Sequence, residues 1–155
     1  MKGAARIEQL RVVQFLGGHL LTAHQAVYDR SGGRIGHRIL GVPCLLLRTT
    51  GAKTGKPRTS ALTYARDGDA YLLAASMGGS PRAPGWYYNL LADPEVAIQV
   101  GTRRLEVSAR IVQRGEADYE RLWGALNAVN DDRYSGYQKL TARPIPVVAL
   151  APRLN

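Results

Sequence analysis

The chain has 155 residues, 45% hydrophobic and 21% charged, which bounds it to one globular domain with room for a real core. Its 21 Lys and Arg against 12 Asp and Glu give a net charge of +9, which attracts nucleic acid, anionic membrane surfaces or acidic small molecules without choosing among them. A single cysteine excludes an intramolecular disulfide, no segment approaches the roughly 20 apolar residues of a transmembrane helix, and Met1-Lys2-Gly3 opens no secretory signal, so a reducing cytoplasmic setting is expected.

Arg6 to Arg30 reads as a helix, because Ile7, Leu10, Val13, Leu20, Leu21 and Val27 fall at helical spacing and give one broad apolar stripe. Gly17-Gly18 marks a kink in it, and Ser31-Gly32-Gly33 ends it. The stripe suits packing on the rest of the chain, on a second subunit of a homodimer, or peripherally on an anionic membrane. Val42–Thr50 is largely apolar, as in a strand buried on both faces, with Pro43 allowed only at its start or at an edge. Cys44 lies inside this run and reads as a small buried hydrophobe. Thr59–Arg66 and Ala70–Ser76 flank Asp67-Gly68-Asp69, a hairpin signal. The loop from Met77 to Gly85 leads to a short helix, Trp86 to Ala92, stopped by Asp93-Pro94. Val96–Val100 and Leu105–Val112 form another hairpin around Gly101-Thr102. In its second strand Leu105, Val107, Ala109 and Ile111 alternate with Glu106, Ser108 and Arg110, the pattern of a half-buried strand. Glu116–Asn130 is an amphipathic helix with Leu122, Leu126 and Val129 on one face. Asp131–Tyr137 is polar and aromatic, and Ile145–Leu150 is a last strand. Six short strands in hairpins with few helices predict a mainly β (α+β) fold, a small antiparallel barrel or sandwich. Residues 1–40 then form a helical extension and 41–155 the β domain.

The densest chemical signal is the turn from Thr49 to Arg58, where Lys53, Lys56 and Arg58 crowd together with Gly51 and Gly55. Free backbone N–H groups and fixed positive charge in one place hold a phosphate or carboxylate. A P-loop is excluded: the spacing from Gly51 to Gly55 is one residue short, Pro57 takes the place of the magnesium-binding hydroxyl, and a strand follows in place of a helix. His19, His24 and His37 show no metal-ligand pattern, and no nucleophile elbow or Ser-His-acid order appears, so neither a metal site nor hydrolysis is expected. Two further patches stand out, Ala75–Gly79 with Trp86–Asn89, and Tyr134–Tyr137. Glycines admit close approach of a ligand, and aromatics give flat apolar walls. Together with the anion clamp they suit a flat cofactor with an acidic tail, although plain core packing also accounts for the aromatics.

These residues, in this order, resemble the deazaflavin-dependent nitroreductase family, small actinobacterial oxidoreductases that use coenzyme F420. The resemblance rests on residues 45–58, on Asp67-Gly68-Asp69 with Ala74-Ala75-Ser76 and Gly78-Gly79, on Pro84–Leu90 leading to Asp93-Pro94-Glu95-Val96, and on Tyr137-Gln138 with Thr141–Val148. It implies a split β-barrel, with reduced F420 donating a hydride to a quinone, a nitroaromatic or an unsaturated lactone. It further implies that Ala52, Lys53, Thr54 and Arg58 hold the cofactor's phosphate and carboxylate tail. Thr59, Ser60, Ala61, Leu62 and Thr63 would line the same strand face, and Ala74, Ala75, Ser76 and Met77 would meet the deazaflavin ring. Gly85, Trp86, Tyr87, Tyr88 and Asn89 would complete the cofactor site, and Tyr134 and Tyr137 would border the substrate pocket, either one a candidate proton donor. The chain departs from the family pattern at Met77, where members often carry a cation, and at Asp131, where some nitroreductive members have a tyrosine.

Two other readings compete at this level. An FMN-dependent reductase on the same barrel would also place a phosphate on the cationic turn. A basic binding module without catalysis would use the charge for nucleic acid, but no nucleic-acid motif is present and the cations sit on loops, so no nucleic-acid partner is expected.

Overall fold

The computed structural model describes residues 23–39 and 41–154. A helix, α1, covers 23–30; the rest of the helix expected from Arg6, with its Gly17-Gly18 kink and most of its stripe, lies outside the described residues. In chain order follow β1 (Arg38–Ile39), β2 (Val42–Thr50), β3 (Pro57–Thr63), β4 (Ala65–Asp67), β5 (Ala70–Ala74), a one-turn 3-10 helix (Met77–Gly79), α2 (Gly85–Ala92), β6 (Glu95–Val100), β7 (Arg103–Val112), α3 (Tyr119–Ala128), α4 (Arg133–Gln138) and β8 (Val147–Pro152).

Pairing is antiparallel throughout. β2 pairs with β6, β6 with β7, β7 with β8, β8 with β5 and β5 with β4. β4 continues through Tyr64 into β3, which pairs back onto β2. The chain's one long bent strand, β3 with β4, thus joins the two ends of the sheet and curls it into a six-stranded barrel, removing its edges. The expected six strands become eight segments because Tyr64 interrupts that bent strand and because the two-residue β1 adds to β2. Pro43 sits opposite Arg38 of this short β1, where little pairing is lost to its missing N–H, and its carbonyl accepts from the Tyr64 N–H at 3.1 Å.

The alternation read along β7 is realised. Val107 packs in the barrel core with Leu105, Ala109 and Ile111 against Leu45, Leu47, Ile98, Val148 and Leu150. Burying a leucine or isoleucine to this extent is worth roughly 1.5–3 kcal/mol each. Trp86, Tyr87 and Leu90 of α2 join this core. The outer face of β5 and β8 carries Leu72, Ala74, Val147 and Ala149, and α3 covers it with Tyr119, Leu122 and Leu126. On the outer face of β2, Cys44 and Leu46 meet Tyr28 of α1. Gln25 of α1 also bonds β3 directly, donating to the Thr59 carbonyl at 2.8 Å and accepting from the Ala61 N–H at 3.2 Å.

Several boundaries differ from expectation, and some of the reasons are local. β8 begins at Val147, not Ile145, because Pro146 has no N–H to give the ladder; its carbonyl accepts from the Ala75 N–H at 3.1 Å. α3 begins at Tyr119, since Gln113 to Glu116 closes a turn of its own. The polar, aromatic segment after α3 is helical: Asp131 and Asp132 turn the chain at φ 59° and 58°, and α4 follows. Among the described residues no helix is long and apolar enough to cross a membrane.

Candidate active site

β2 and β3 place the cationic turn at one end of the barrel. The Gly51 N–H donates to the Lys56 carbonyl, and the Gly55 N–H to the Gly51 carbonyl, each at 2.8 Å. Gly55 has φ 69°, a left-handed conformation that suits glycine. From α2, the Asn89 side chain accepts from the Ala52 N–H at 2.9 Å and donates to Thr49 Oγ1 at 3.1 Å. One amide therefore ties α2 to the turn.

A cavity of about 900 Å³ opens beside the turn. Ala52, Lys53, Thr54, Arg58, Thr59 and Ser60 line it from one segment, and Gly85, Trp86, Tyr88 and Asn89 from α2, with Met77 between. A second cavity, about 250 Å³, is lined by Ala61, Leu62, Thr63, Ala74, Ser76, Tyr134 and Tyr137. Met77 and Trp86 line both cavities, so a cationic compartment adjoins a smaller one bordered by two tyrosines.

Two expected site residues are turned away. Ala75 is fully buried in the barrel core while Ala74 and Ser76, its neighbours, face the smaller cavity, as alternation along an extended segment requires. Tyr87 is also a core residue, its hydroxyl accepting from Gln113 Nε2 at 3.3 Å, whereas Tyr88 on the next helical position faces the larger cavity.

Tyr134 of α4 is 6% exposed, and its hydroxyl shares a 2.7 Å hydrogen bond with that of Thr63. Burial raises its pKa above the ordinary 10.0, with the Thr63 bond opposing. The phenol is thus held protonated and oriented. Its ring lies 6.2 Å from that of Tyr137, edge to face. Burial also pushes the Cys44 thiol up to about 12, which leaves it an inert core residue.

The segment joining the two cavities is unusual. Met77, Gly78 and Gly79 have φ of 45°, 63° and 82° in succession. For methionine this region carries strain, and strain of that kind persists only where the surroundings impose it. Arg143 imposes it here. Its guanidinium donates to the carbonyls of Ala75 (3.1 Å), Ser76 (2.8 Å), Ser80 (2.8 Å) and Arg82 (3.2 Å). Sequence reasoning assigned Arg143 no role, since its partners lie more than sixty residues earlier. It also missed Ser80 and Arg82 in the larger cavity, and Asn130 and Arg133 in the smaller. Arg82 had a signal, a cation in a loop already singled out; the others had none.

Comparison with known proteins bears directly on this geometry. Residues 20–152 match the family model for F420H(2)-dependent quinone reductase. An F420H(2)-dependent quinone reductase of Mycobacterium tuberculosis is 58% identical over 139 residues, 89% of this chain and 93% of its own length. Among solved structures, an F420-H2 dependent reductase (FDR-A) is 36% identical with a TM-score of 0.62, covering 73% of this chain and 97% of that one. Another, described as a domain-swapped dimer, is 32% identical with a TM-score of 0.64, covering 86% of this chain and 98% of that one. The fold and the relatives agree: the chain is an F420-dependent oxidoreductase and belongs to the F420H(2)-dependent quinone reductase family.

Proposed function

We propose that the larger cavity holds F420 by its acidic tail, with Lys53 and Arg58 on the anionic groups, and that a quinone-class acceptor enters the smaller cavity beside Tyr134 and Tyr137. The observation that carries this reading is the sharing of Met77 and Trp86 by a large cationic compartment and a smaller one bordered by Tyr134 and Tyr137. The residues fit the group: no acidic side chain lines the larger cavity, and the Lys53 and Arg58 charges are in no ion pair among the described residues. Gly85 leaves open space at its missing Cβ, so a flat ring can approach the start of α2.

When bound, reduced F420 supplies the hydride. The chain's own part is orientation and electrostatics. Met77 and Trp86 form the wall at which donor and acceptor meet, and proximity supplies most of the acceleration. Tyr134, kept neutral by burial and aimed by Thr63, stands ready to give a proton to the oxygen or carbon that gains negative charge. Tyr137 borders the same space. F420, and not FMN, is the cofactor named for the family and for the relatives above.

The test is anaerobic oxidation of reduced F420 by menadione, coumarins and nitroaromatics, followed by cofactor absorbance. The reading expects turnover with menadione. Binding of F420 without turnover of any of the three classes overturns the acceptor assignment. We also propose a homodimer, supported by the neighbour described as a domain-swapped dimer; a monomer mass by light scattering would exclude it.

A further inference from the structure

The larger cavity holds three cationic side chains, Lys53, Arg58 and Arg82. Among the described residues none is in an ion pair, and no carboxylate lines the cavity with them. Lys53 and Arg58 come from the turn and the start of β3, whereas Arg82 comes from the loop before α2. All three are exposed, so water screens their mutual repulsion, but with no carboxylate beside them they leave the cavity a net positive site for an anion. The backbone of Arg82 is fixed on both sides: its N–H donates to Ser80 Oγ at 3.4 Å, and its carbonyl accepts from Arg143 Nη2 at 3.2 Å. Arg143 Nε holds the Ser80 carbonyl at 2.8 Å as well. The guanidinium of Arg82 itself makes no hydrogen bond to another described residue.

We propose that Arg82 is a third anion ligand of the groove, set in place by Arg143 as a positioning residue, and that it recognises the acidic tail of F420 and not its ring. The inference rests on the reading that this cavity holds the tail. A guanidinium suits the task because its planar fork matches phosphate and carboxylate oxygens. A tail bearing a phosphate and carboxylates carries more negative charge than Lys53 and Arg58 neutralise by themselves.

The experiment is equilibrium fluorescence titration with oxidised F420 and with the deazaflavin chromophore lacking phosphate and tail. Wild type, Arg82→Gln, Arg82→Lys, Lys53→Gln and the remote control Arg103→Gln are compared at low and high salt. Arg82→Gln is expected to weaken F420 binding by roughly five- to tenfold at low salt, less at high salt, and to leave the tail-less ligand unchanged. Arg82→Lys keeps the charge but not the fork and recovers only part of the loss, and Arg103→Gln loses nothing. Adding Arg143→Lys to Arg82→Gln brings no further loss of tail affinity, because the group it positions is already gone. Equal loss for both ligands, or no loss for either, overturns the role of Arg82. If Lys53→Gln also fails to separate the two ligands, and wild type binds them alike, the placement of the tail in this cavity falls first.

Discussion

A hydroxyl is the smallest unit on which the proposed chemistry depends. Tyr134 and Tyr137 are similar in sequence context, three residues apart, yet among the described residues only the Tyr134 hydroxyl has a bonded side-chain partner, Thr63. Replacing Tyr134 by Phe removes that bond and the proton while keeping the ring. We expect kcat with menadione to fall by about tenfold or more, with F420 affinity unchanged. Because burial raises the phenol's pKa above 10.0, the wild-type rate should hold through neutral pH and fall only where the phenol ionises, above that value. Equal rates for wild type and variant across that range would remove Tyr134 from proton transfer. Cys44 was legible as inert from its apolar neighbours alone, and full burial agrees. Ala75 was not legible as a core residue, and for Tyr87 core packing and cofactor contact stood as equal readings. Their neighbours do face the cavities, and a linear segment does not say which of two adjacent side chains points inward.

At the scale of elements, the segment from Ser76 to Ser80 connects the chemistry of both cavities and depends on α4. A Cβ on Gly79 would lie 2.6 Å from the Tyr137 carbonyl oxygen and 2.9 Å from Leu140 Cβ, at a φ of 82°. Neither obstacle is a flexible side-chain tip. Gly79→Ala should therefore cost about 2–3 kcal/mol or more through clash and strain together, read as a lowered Tm. It should also displace Tyr137, read as a raised KM for menadione with F420 affinity less affected. An unchanged Tm would show that α4 gives way freely. Composition hinted at α4 only weakly. Ser135 and Gly136 are poor helix formers, and the helix exists because the left-handed turn at Asp131-Asp132 redirects the chain and Asn127 Oδ1 accepts the Ser135 N–H at 2.8 Å.

For the whole molecule, the tyrosines and Cys44 make alkaline pH the vulnerable direction. Tyr28, Tyr64, Tyr119 and Tyr134 all have pKa values raised above 10.0, chiefly by burial, and Cys44 is pushed from 9.0 to about 12. In each case the folded state keeps a proton that the unfolded chain has released. Their contribution to stability is thus fully present below about pH 9 and is lost as pH rises through the folded values. Tm should be level from neutral pH to about 9 and fall above it; a Tm that rose there would contradict the burial of these groups. The residues alone determined the strand periodicity, the hairpins, the cationic turn and the order of motifs, because alternation, turn chemistry and charge density are local properties of a chain. Only the tertiary structure decided that the bent strand through Tyr64 closes the barrel, that Met77 and Trp86 join two cavities, and that Arg143 organises a loop more than sixty residues before it. Closure and clamping are contacts between distant segments, and no local pattern encodes which carbonyls a guanidinium will meet.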